Sequence, residues 1–402
     1  MKKSLLCIIL LLMLLMPFNI NAFASTFYEN EINTSELKTG DKITFGYYPQ
    51  TLVADENLTS KLDTIDIDMQ SYGYEYYQII DENNNYETAA IDMLYGDVSY
   101  KGEVYRKVFI GSNRPYSTIF GDYAAQSYQT TTDYDAGYDY WFKWEPIVWR
   151  VLTNDNNEVY LLSESILDAQ AFDISITPQS EEKEFNIWEQ CTLRKWLNDS
   201  FYNAAFTESE KGIIMSSQIV NSSKGEDDFY YNGGNDTTDN VWIISYSDAI
   251  NSQYGFNSND QEDDENRIAY GTDYAMSQGL DGDNFDDIGL SQWILRTART
   301  ENDEVCAVDE HGDCFGEYAF TNVVCSGVRP AIKIQGNIDL KGAESHYKNF
   351  DVNSKSDDSD NKDLKTNKIS QITPYIILSV IAISIVALIV ILIVLVKKKR
   401  NN

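Results

Sequence analysis

Two long apolar segments stand near opposite ends of the chain, and they differ in kind. Residues 1–24 begin with a lysine pair, continue through an apolar stretch and end in Ala22-Phe23-Ala24, the pattern of a cleavable secretory signal. Residues 374–396 are uncharged and almost entirely apolar, and 397–402 are basic. At about 1.5 Å per residue the second segment is long enough to cross a bilayer. Because basic residues favour the cytoplasmic side, this pattern predicts a single-pass cell-membrane protein. Its large N-terminal domain lies outside, and 397–402 form a short cytoplasmic tail.

Between these segments, short apolar runs alternate with turn residues, as is typical of β-strands. Residues 42–48 predict a first strand that ends at Pro49. Two apolar runs, 147–152 and 159–162, flank an Asn- and Asp-rich turn and predict a β-hairpin. Further strands are predicted at 241–244, 293–295, 305–308 and 328–334.

The helical signal lies in the middle of the chain. Apolar residues from Trp188 to Leu197 recur at three-to-four spacing, which predicts an amphipathic helix. A second helix is predicted to begin at Thr207, where Thr207 and Glu210 have the spacing of a capping box. Strands, a central helix pair and further strands indicate the α+β class.

Composition divides the chain further. Residues 25–340 are expected to form an extracellular α+β domain, with insertions near 53–140, which is rich in tyrosine, and 221–289, which is rich in Asp, Asn and Gly. Residues 341–373 are polar and nearly free of large apolar side chains, the composition of a flexible stalk.

The charge balance narrows the class of partner. The chain carries 63 Asp and Glu against 31 Lys and Arg, a formal net charge of −32. Such a surface repels nucleic acid, so nucleic acid is excluded as a partner. It tolerates cations such as calcium, and basic peptides, although solubility alone also explains it.

Candidate ligand-binding residues are few. With two histidines in the chain, His-ligated zinc and a Ser-His-Asp triad are disfavoured, and no catalytic residue is assigned. Tyrosines outside the periodic elements are candidates for an exposed binding surface, although such loops are often merely packed. The tyrosines selected are Tyr72, Tyr74, Tyr76 and Tyr77.

A calcium site is the candidate cofactor site, because closely spaced carboxylates supply the oxygen ligands that calcium prefers. An acidic loop without any ion is the alternative. The candidate ligands are Asp281, Asp283, Asp286 and Asp287.

Four cysteines remain after removal of the signal, and an even number in an oxidising compartment suggests disulfides. Four cysteines allow three connectivities, of which we favour Cys306–Cys314 with Cys191–Cys325.

Four arginines in the predicted strands and helix could bind a ligand carboxylate or could stabilise the core by pairing with buried acidic residues or carbonyl groups. The second interpretation is favoured. They are Arg150, Arg194, Arg296 and Arg329.

Several segments, in this order, resemble an uncharacterised extracellular domain of low-GC Gram-positive bacteria. They are 45–51 (FGYYPQT), 146–152 (PIVWRVL), 192–198 (TLRKWLN), 239–245 (DNVWIIS), 272–275 (TDYA), 293–297 (WILRT) and 327–331 (GVRPA). The closing segments are distantly similar to the formylglycine-generating enzyme and C-type-lectin-like superfamily. This resemblance implies a C-type-lectin-like, or sulfatase-modifying-factor-like, domain of short antiparallel strands around a helix pair. In the oxidase branch of that superfamily two C-terminal cysteines bind copper, and Cys306, Cys314 and Cys325 lie in the corresponding region with a different spacing.

These observations together favour a membrane-anchored bacterial surface protein that recognises a glycan, a cell-wall polymer or an envelope protein. The alternative is an extracellular enzyme, either a cysteine and metal oxidase of the formylglycine-generating type or a carbohydrate-active hydrolase. The hydrolase would use a carboxylate pair that no spacing singles out.

Overall fold

The computed structural model describes residues 27–28, 32–79, 86–120, 127–155, 157–174, 185–221, 233–282 and 289–340. The predicted signal, stalk, membrane span and tail lie outside these ranges. No helix within them has the length and apolar character that a membrane span needs. The described residues all belong to the first of two compact units, which ends at Val352.

Short strands dominate the described part, and helices are few and brief, so the predicted α+β class is confirmed. The strands are β1 (Phe27–Tyr28), β2 (Ile32–Asn33), β3 (Lys42–Leu52), β4 (Gln70–Ser71), β5 (Glu75–Ile79), β6 (Tyr86–Ala90), β7 (Met93–Tyr100), β8 (Glu103–Ile110), β9 (Ile119–Phe120), β10 (Tyr138–Asn154), β11 (Glu158–Ser163), β12 (Asp168–Ala169), β13 (Ser217–Ile219), β14 (Thr237–Asp239), β15 (Trp293–Ala298), β16 (Glu304–Val308), β17 (Tyr318–Phe320), β18 (Gly327–Val328), β19 (Ala331–Gln335) and β20 (Asp339–Leu340). The α-helices are Glu56–Leu62, Thr192–Trp196, Tyr202–Ala205, Glu208–Lys211, Tyr246–Ala249 and Asp273–Ser277, with a π-helical turn at Leu197–Phe201 and 3₁₀ turns at Thr34–Glu36, Tyr128–Thr130 and Ser252–Tyr254.

The largest sheet is built around β10. Its strands follow the order β1-β3-β10-β8-β7-β4, with β11 pairing both β10 and β19. The predicted hairpin is confirmed as β10 and β11, in which Val151 lies opposite Leu161. Strands β7 and β8, which extend this sheet, come from the segment predicted to be an insertion, so that segment is part of the main framework.

A second sheet has the order β12-β18-β15-β16-β17, which leaves β17 at one edge. The predicted strands at 293–295 and 305–308 are confirmed as β15 and β16, an antiparallel pair in which Trp293 lies opposite Val308. Smaller sheets pair β13 with β14, β2 with β20, and β5 with β6 and β9.

Three strand predictions were wrong. The segment 328–334 is not one strand, because β18 ends at Val328 in the second sheet and β19 begins at Ala331 in the main sheet. β3 continues through Pro49 to Leu52, because β1 pairs only with Lys42 and Ile43 on that side and a proline at an open edge removes no ladder bond. Residues 241–244 are not a strand, although they are buried. Trp242 makes a single bridge, to Ala331, so burial rather than a ladder explains their apolar character.

The capping box at Thr207 is confirmed. The N–H of Glu210 donates to Thr207 Oγ1 at 3.2 Å, and the N–H of Thr207 donates to Glu210 Oε2 at 2.8 Å. The other carboxylate oxygen of Glu210 accepts from the N–H of Gly46 at 3.0 Å. This one side chain therefore joins the helix Glu208–Lys211 to β3 and the main sheet.

Candidate functional site

Tyr72 and Tyr74 lie between β4 and β5, and their rings stack at 5.2 Å with an interplanar angle of 6°. The Tyr72 hydroxyl shares a hydrogen bond of 3.0 Å with the Tyr274 hydroxyl. The Tyr74 hydroxyl donates to Gln278 Oε1 at 3.0 Å. Both phenol hydroxyls therefore form hydrogen bonds within the protein.

A buried carboxylate lies beside these phenols. Asp168, which is 2% exposed, accepts hydrogen bonds from Tyr48 at 2.7 Å and from Gln170 Nε2 at 2.9 Å. The Gln170 amide also donates to the Tyr74 hydroxyl at 3.2 Å. Burial raises the pKa of Asp168, and the hydrogen bond from Tyr48 opposes that shift. We call Tyr48, Tyr72, Tyr74 and Tyr274 the tyrosine network.

Two arginines supply the positive charge of this region. Arg106 binds Asp97 through two hydrogen bonds of 2.9 and 2.7 Å and donates to the Tyr274 hydroxyl at 3.2 Å. The Arg114 guanidinium lies 3.7 Å from the Tyr74 ring centroid, close enough for a cation–π contact. Its buried Nε has no hydrogen-bond acceptor among the described residues, and the ring partly replaces one.

The tyrosine network links segments that are far apart in the sequence. It ties the 53–140 segment to residues 168–170 and 274–278, and its polar groups are paired with one another. Burial raises the pKa of Tyr74 to about 12 and that of Tyr72 well above its usual value, so both stay neutral and engaged. Tyr72, Tyr74, Tyr76 and Tyr77 are half-buried, so the exposed patch expected of them is absent. Their role in binding a ligand stays a prediction.

Exposed aromatic side chains lie elsewhere, at Tyr138, Tyr270 and Phe315 and, as a pair, on the edge strand β17. Tyr318 and Phe320 are each 41% exposed, whereas Ala319 between them is buried. Their rings meet edge to face at 5.6 Å. The Arg299 guanidinium lies 4.6 Å from the Tyr318 ring centroid and forms an ion pair with Glu304 at 3.4 Å. Arg299, held by Glu304, therefore packs against one face of the Tyr318 ring.

Two further tyrosines lie beside β17. Ser117 bridges to Val323, and the N–H of Val324 donates to the Tyr116 carbonyl at 3.0 Å, which brings this segment next to β17. The rings of Tyr116 and Tyr128 are 5.9 Å apart, and both residues are half-buried. Burial raises the pKa of Tyr116, as do the nearby Cys325, Asp281 and Tyr318. We call Tyr116, Tyr128, Tyr318 and Phe320 the aromatic face.

Asp281, one of the predicted calcium ligands, lies at this face. Burial raises the pKa of Tyr128, and the charge of Asp281 and a hydrogen bond to it raise it further. The backbone N–H of Asp281 donates to the Cys325 carbonyl at 3.3 Å. Asp283, Asp286 and Asp287 lie outside the described residues, so the predicted calcium site stays a prediction.

A different group of three potential metal ligands exists in the turn after β16. Among the residues that the structure describes, donor atoms of Asp309, Glu310 and His311 lie within 4.8 Å of one another. Asp309 Oδ1 already accepts from the backbone N–H groups of His311 and Asp313 at 2.9 and 2.7 Å. The carboxylate thus shapes the turn, and no thiol belongs to this group.

All four described cysteines are buried free thiols, so the predicted disulfides are not formed. Cys191 and Cys325 have different surroundings. Cys191 Sγ accepts from the Arg194 N–H at 3.4 Å as the cap of a helix, whereas the charged neighbours of Cys325 are Asp281 and Arg114.

Cys306 and Cys314 lie near each other as separate thiols, and burial is the main cause that raises the pKa of each to about 12. A thiol with such a pKa is protonated at neutral pH, whereas the thiolate is the metal-binding form. The cysteine region therefore fits the copper site implied by the oxidase resemblance poorly.

The four arginines of the predicted strands and helix lock the core, as favoured. Arg150 binds Glu164, Arg194 binds Asp239 and Arg296 binds Asp248. Arg329 is buried and donates to the Ser163 carbonyl at 3.0 Å. Their guanidinium groups are thus occupied by partners within the protein.

The geometry defines an α+β domain with an exposed aromatic face and an interior whose polar groups are largely paired. Residues 156–336 match the family described as Domain of unknown function (DUF6273). The comparison with curated proteins and the comparison with solved structures gave no match. The matched region contains β17 and Asp281, whereas Tyr116 and Tyr128 precede it.

The sequence interpretation missed the aromatic face. Its signal is Tyr318-Ala319-Phe320, an alternation of large and small side chains directly after the turn that follows β16. A turn after a confirmed strand predicts a returning partner strand, and its outward residues are then Tyr318 and Phe320.

Proposed function

We propose that the protein is a membrane-anchored surface recognition module that binds a glycan chain of the cell envelope through the aromatic face. The observation that carries this proposal is the pair of exposed rings, Tyr318 and Phe320, on an edge strand. Exposed aromatic groups of this kind mark contact sites. Their flat apolar faces can stack on the apolar faces of sugar rings.

The proposed membrane topology rests on the sequence pattern: a signal at 1–24, a domain at 25–340, a stalk at 341–373, a span at 374–396 and a tail at 397–402. A C-type-lectin-like arrangement is part of the proposal. The α+β class and the resemblance of the closing segments support it.

A recognition role is favoured over the oxidase because the thiols that an oxidase would use are buried and protonated. Burial raises the pKa of Cys306 and Cys314 to about 12. The rings of Tyr318 and Phe320, in contrast, are exposed on the aromatic face.

Binding of soluble cell-wall polysaccharide fragments to the purified protein tests the proposal. Tyr318→Ala and Phe320→Ala should each weaken binding about tenfold, since one ring stack is worth on the order of 1 kcal/mol. The matched control is Tyr138→Ala, because Tyr138 is 62% exposed at the start of β10 and lies outside the aromatic face. Equal binding by all three variants, or no binding by the unaltered protein, would overturn the proposal.

A further inference from the structure

Carboxylates border the aromatic face. Glu304 lies directly opposite Phe320 across the β16–β17 ladder, and Asp281 lies beside Tyr116 and Tyr128. The exposed Glu301 and Asp303 precede Glu304 in the same turn. Arg299 brings a positive charge to this border and is paired with Glu304. The border therefore carries more negative than positive charge.

The net charge of the whole molecule is also negative, so it too favours a cationic ligand. The formal net charge is −32, so a polyanionic wall polymer is repelled on approach. A cationic ligand is attracted over a distance of about 10 Å at moderate salt. Close to the aromatic face, a cation is also attracted by the electron-rich surfaces of the aromatic rings.

We propose, on the basis of the glycan-binding function above, that the ligand is a glycan of amino sugars whose amino groups are free and protonated. The sugar ring stacks on Tyr318 or Phe320, and the ammonium group interacts with the carboxylates of Asp281 and Glu304. An N-acetylated sugar offers the same ring without the charge. Its binding is therefore weaker, and less sensitive to salt.

The state of Glu304 agrees with this assignment. Burial raises the pKa of Glu304, the Arg299 guanidinium opposes that shift, and the charges of Asp303 and Glu301 add to it. A bound ammonium group would relieve the crowding of negative charge around Glu304 and Asp303.

A matched pair of ligands tests the proposal on the full chain in detergent. Calorimetry should compare a glucosamine oligosaccharide with its N-acetylated counterpart, at mildly acidic pH and at low and high salt. We expect the amino form to bind about tenfold more tightly at low salt, and the preference to shrink as salt screens the charges.

Carboxylate variants locate the effect. Asp303→Asn should reduce the preference for the amino form and leave binding of the N-acetylated form unchanged, and Asp281→Asn should also reduce the preference for the amino form. Asp303 is exposed, so its variant retains the fold. Tyr318→Ala should weaken the binding of both oligosaccharides. Glu208→Gln is the control, because Glu208 has a side chain 92% exposed in the helix Glu208–Lys211 and is not part of the aromatic face or its acidic border.

The outcomes separate this inference from the function beneath it. Equal, salt-insensitive binding of both oligosaccharides overturns the amino-sugar assignment and leaves the glycan-binding function standing. Binding of neither oligosaccharide and of no wall polysaccharide fragment, together with binding of an oligolysine peptide, overturns both and identifies a basic peptide as the ligand.

Discussion

Tyr48 and Asp168 show how single residues satisfy a buried polar group inside this protein. The buried Tyr48 hydroxyl donates to Asp168 at 2.7 Å. A buried carboxylate that loses a donor keeps its cost of burial without the compensating bond. The hydrogen bond between Tyr48 and Asp168 joins β3 of the main sheet to β12 of the second sheet.

Tyr48→Phe is expected to lower the free energy of unfolding by about 1–3 kcal/mol, measured by urea denaturation. Tyr138→Phe removes a hydroxyl from a side chain that is 62% exposed and should change stability by less than about 0.5 kcal/mol. Equal effects of the two substitutions would contradict the importance of the Asp168 bond.

The thiols give a second prediction at this scale. Cys191, Cys306, Cys314 and Cys325 should resist alkylation in the folded protein, because all four are buried and the thiolate is the reactive form. In denaturant without reductant all four should react, as read by intact mass. If two of them stay unmodified in denaturant, a disulfide is present and the free-thiol state is wrong.

At the scale of elements, Gly46 sets how closely β3 approaches the helix Tyr202–Ala205. Its φ is +71°, a conformation that costs other residues about 1–2 kcal/mol. A Cβ there would lie 2.6 Å from the Phe206 ring and 2.8 Å from the Ala205 carbonyl oxygen. The contact therefore leaves no room for a side chain.

Gly46→Ala should consequently destabilise the protein by at least about 2 kcal/mol more than Gly40→Ala. Gly40 also has a positive φ, of +90°, but nothing lies within 4 Å of the position of its Cβ. The difference between the two urea midpoints isolates the steric contribution. Equal midpoints would mean that the helix moves away at little cost.

Elements also differ in how well the sequence predicts them. The hairpin of β10 and β11 was predictable because long apolar runs flank an Asn- and Asp-rich turn. The helix start at Thr207 was predictable because a capping box depends on residues only three positions apart. β17 has three residues, too few for a period to emerge. The tyrosine network joins Tyr72 to Tyr274, 202 positions apart, and no local pattern encodes such a contact. For residues 241–244, apolar character alone could not separate a buried bridge from a strand.

For the whole molecule, the tyrosine network predicts the alkaline limit of stability. Burial raises the folded-state pKa of Tyr74 to about 12, from a usual value of 10.0. Above pH 10 the unfolded chain loses phenolic protons that the folded chain retains. The stabilisation is therefore complete below about pH 10 and is lost as the pH rises toward 12.

In an alkaline titration the exposed tyrosines should ionise first, and the last rise in tyrosinate absorbance, from the buried tyrosines, should coincide with the loss of near-ultraviolet circular dichroism. Tyr74→Phe should make the loss of stability with pH less steep. If the buried tyrosines ionised gradually before unfolding, the network would be open to solvent, contrary to its geometry.

The pairing of β2 with β20 places the first and last parts of the described domain side by side, with Ile32 opposite Leu340. Tension applied through the segment after Leu340 therefore meets this two-residue ladder first. Such a short ladder opens before β19, which is held to β11 by five paired positions from Glu158↔Gln335 to Leu162↔Ala331. Under tension, β20 therefore separates from β2 first and the chain lengthens by a few residues. The rest of the domain, including the aromatic face, stays folded.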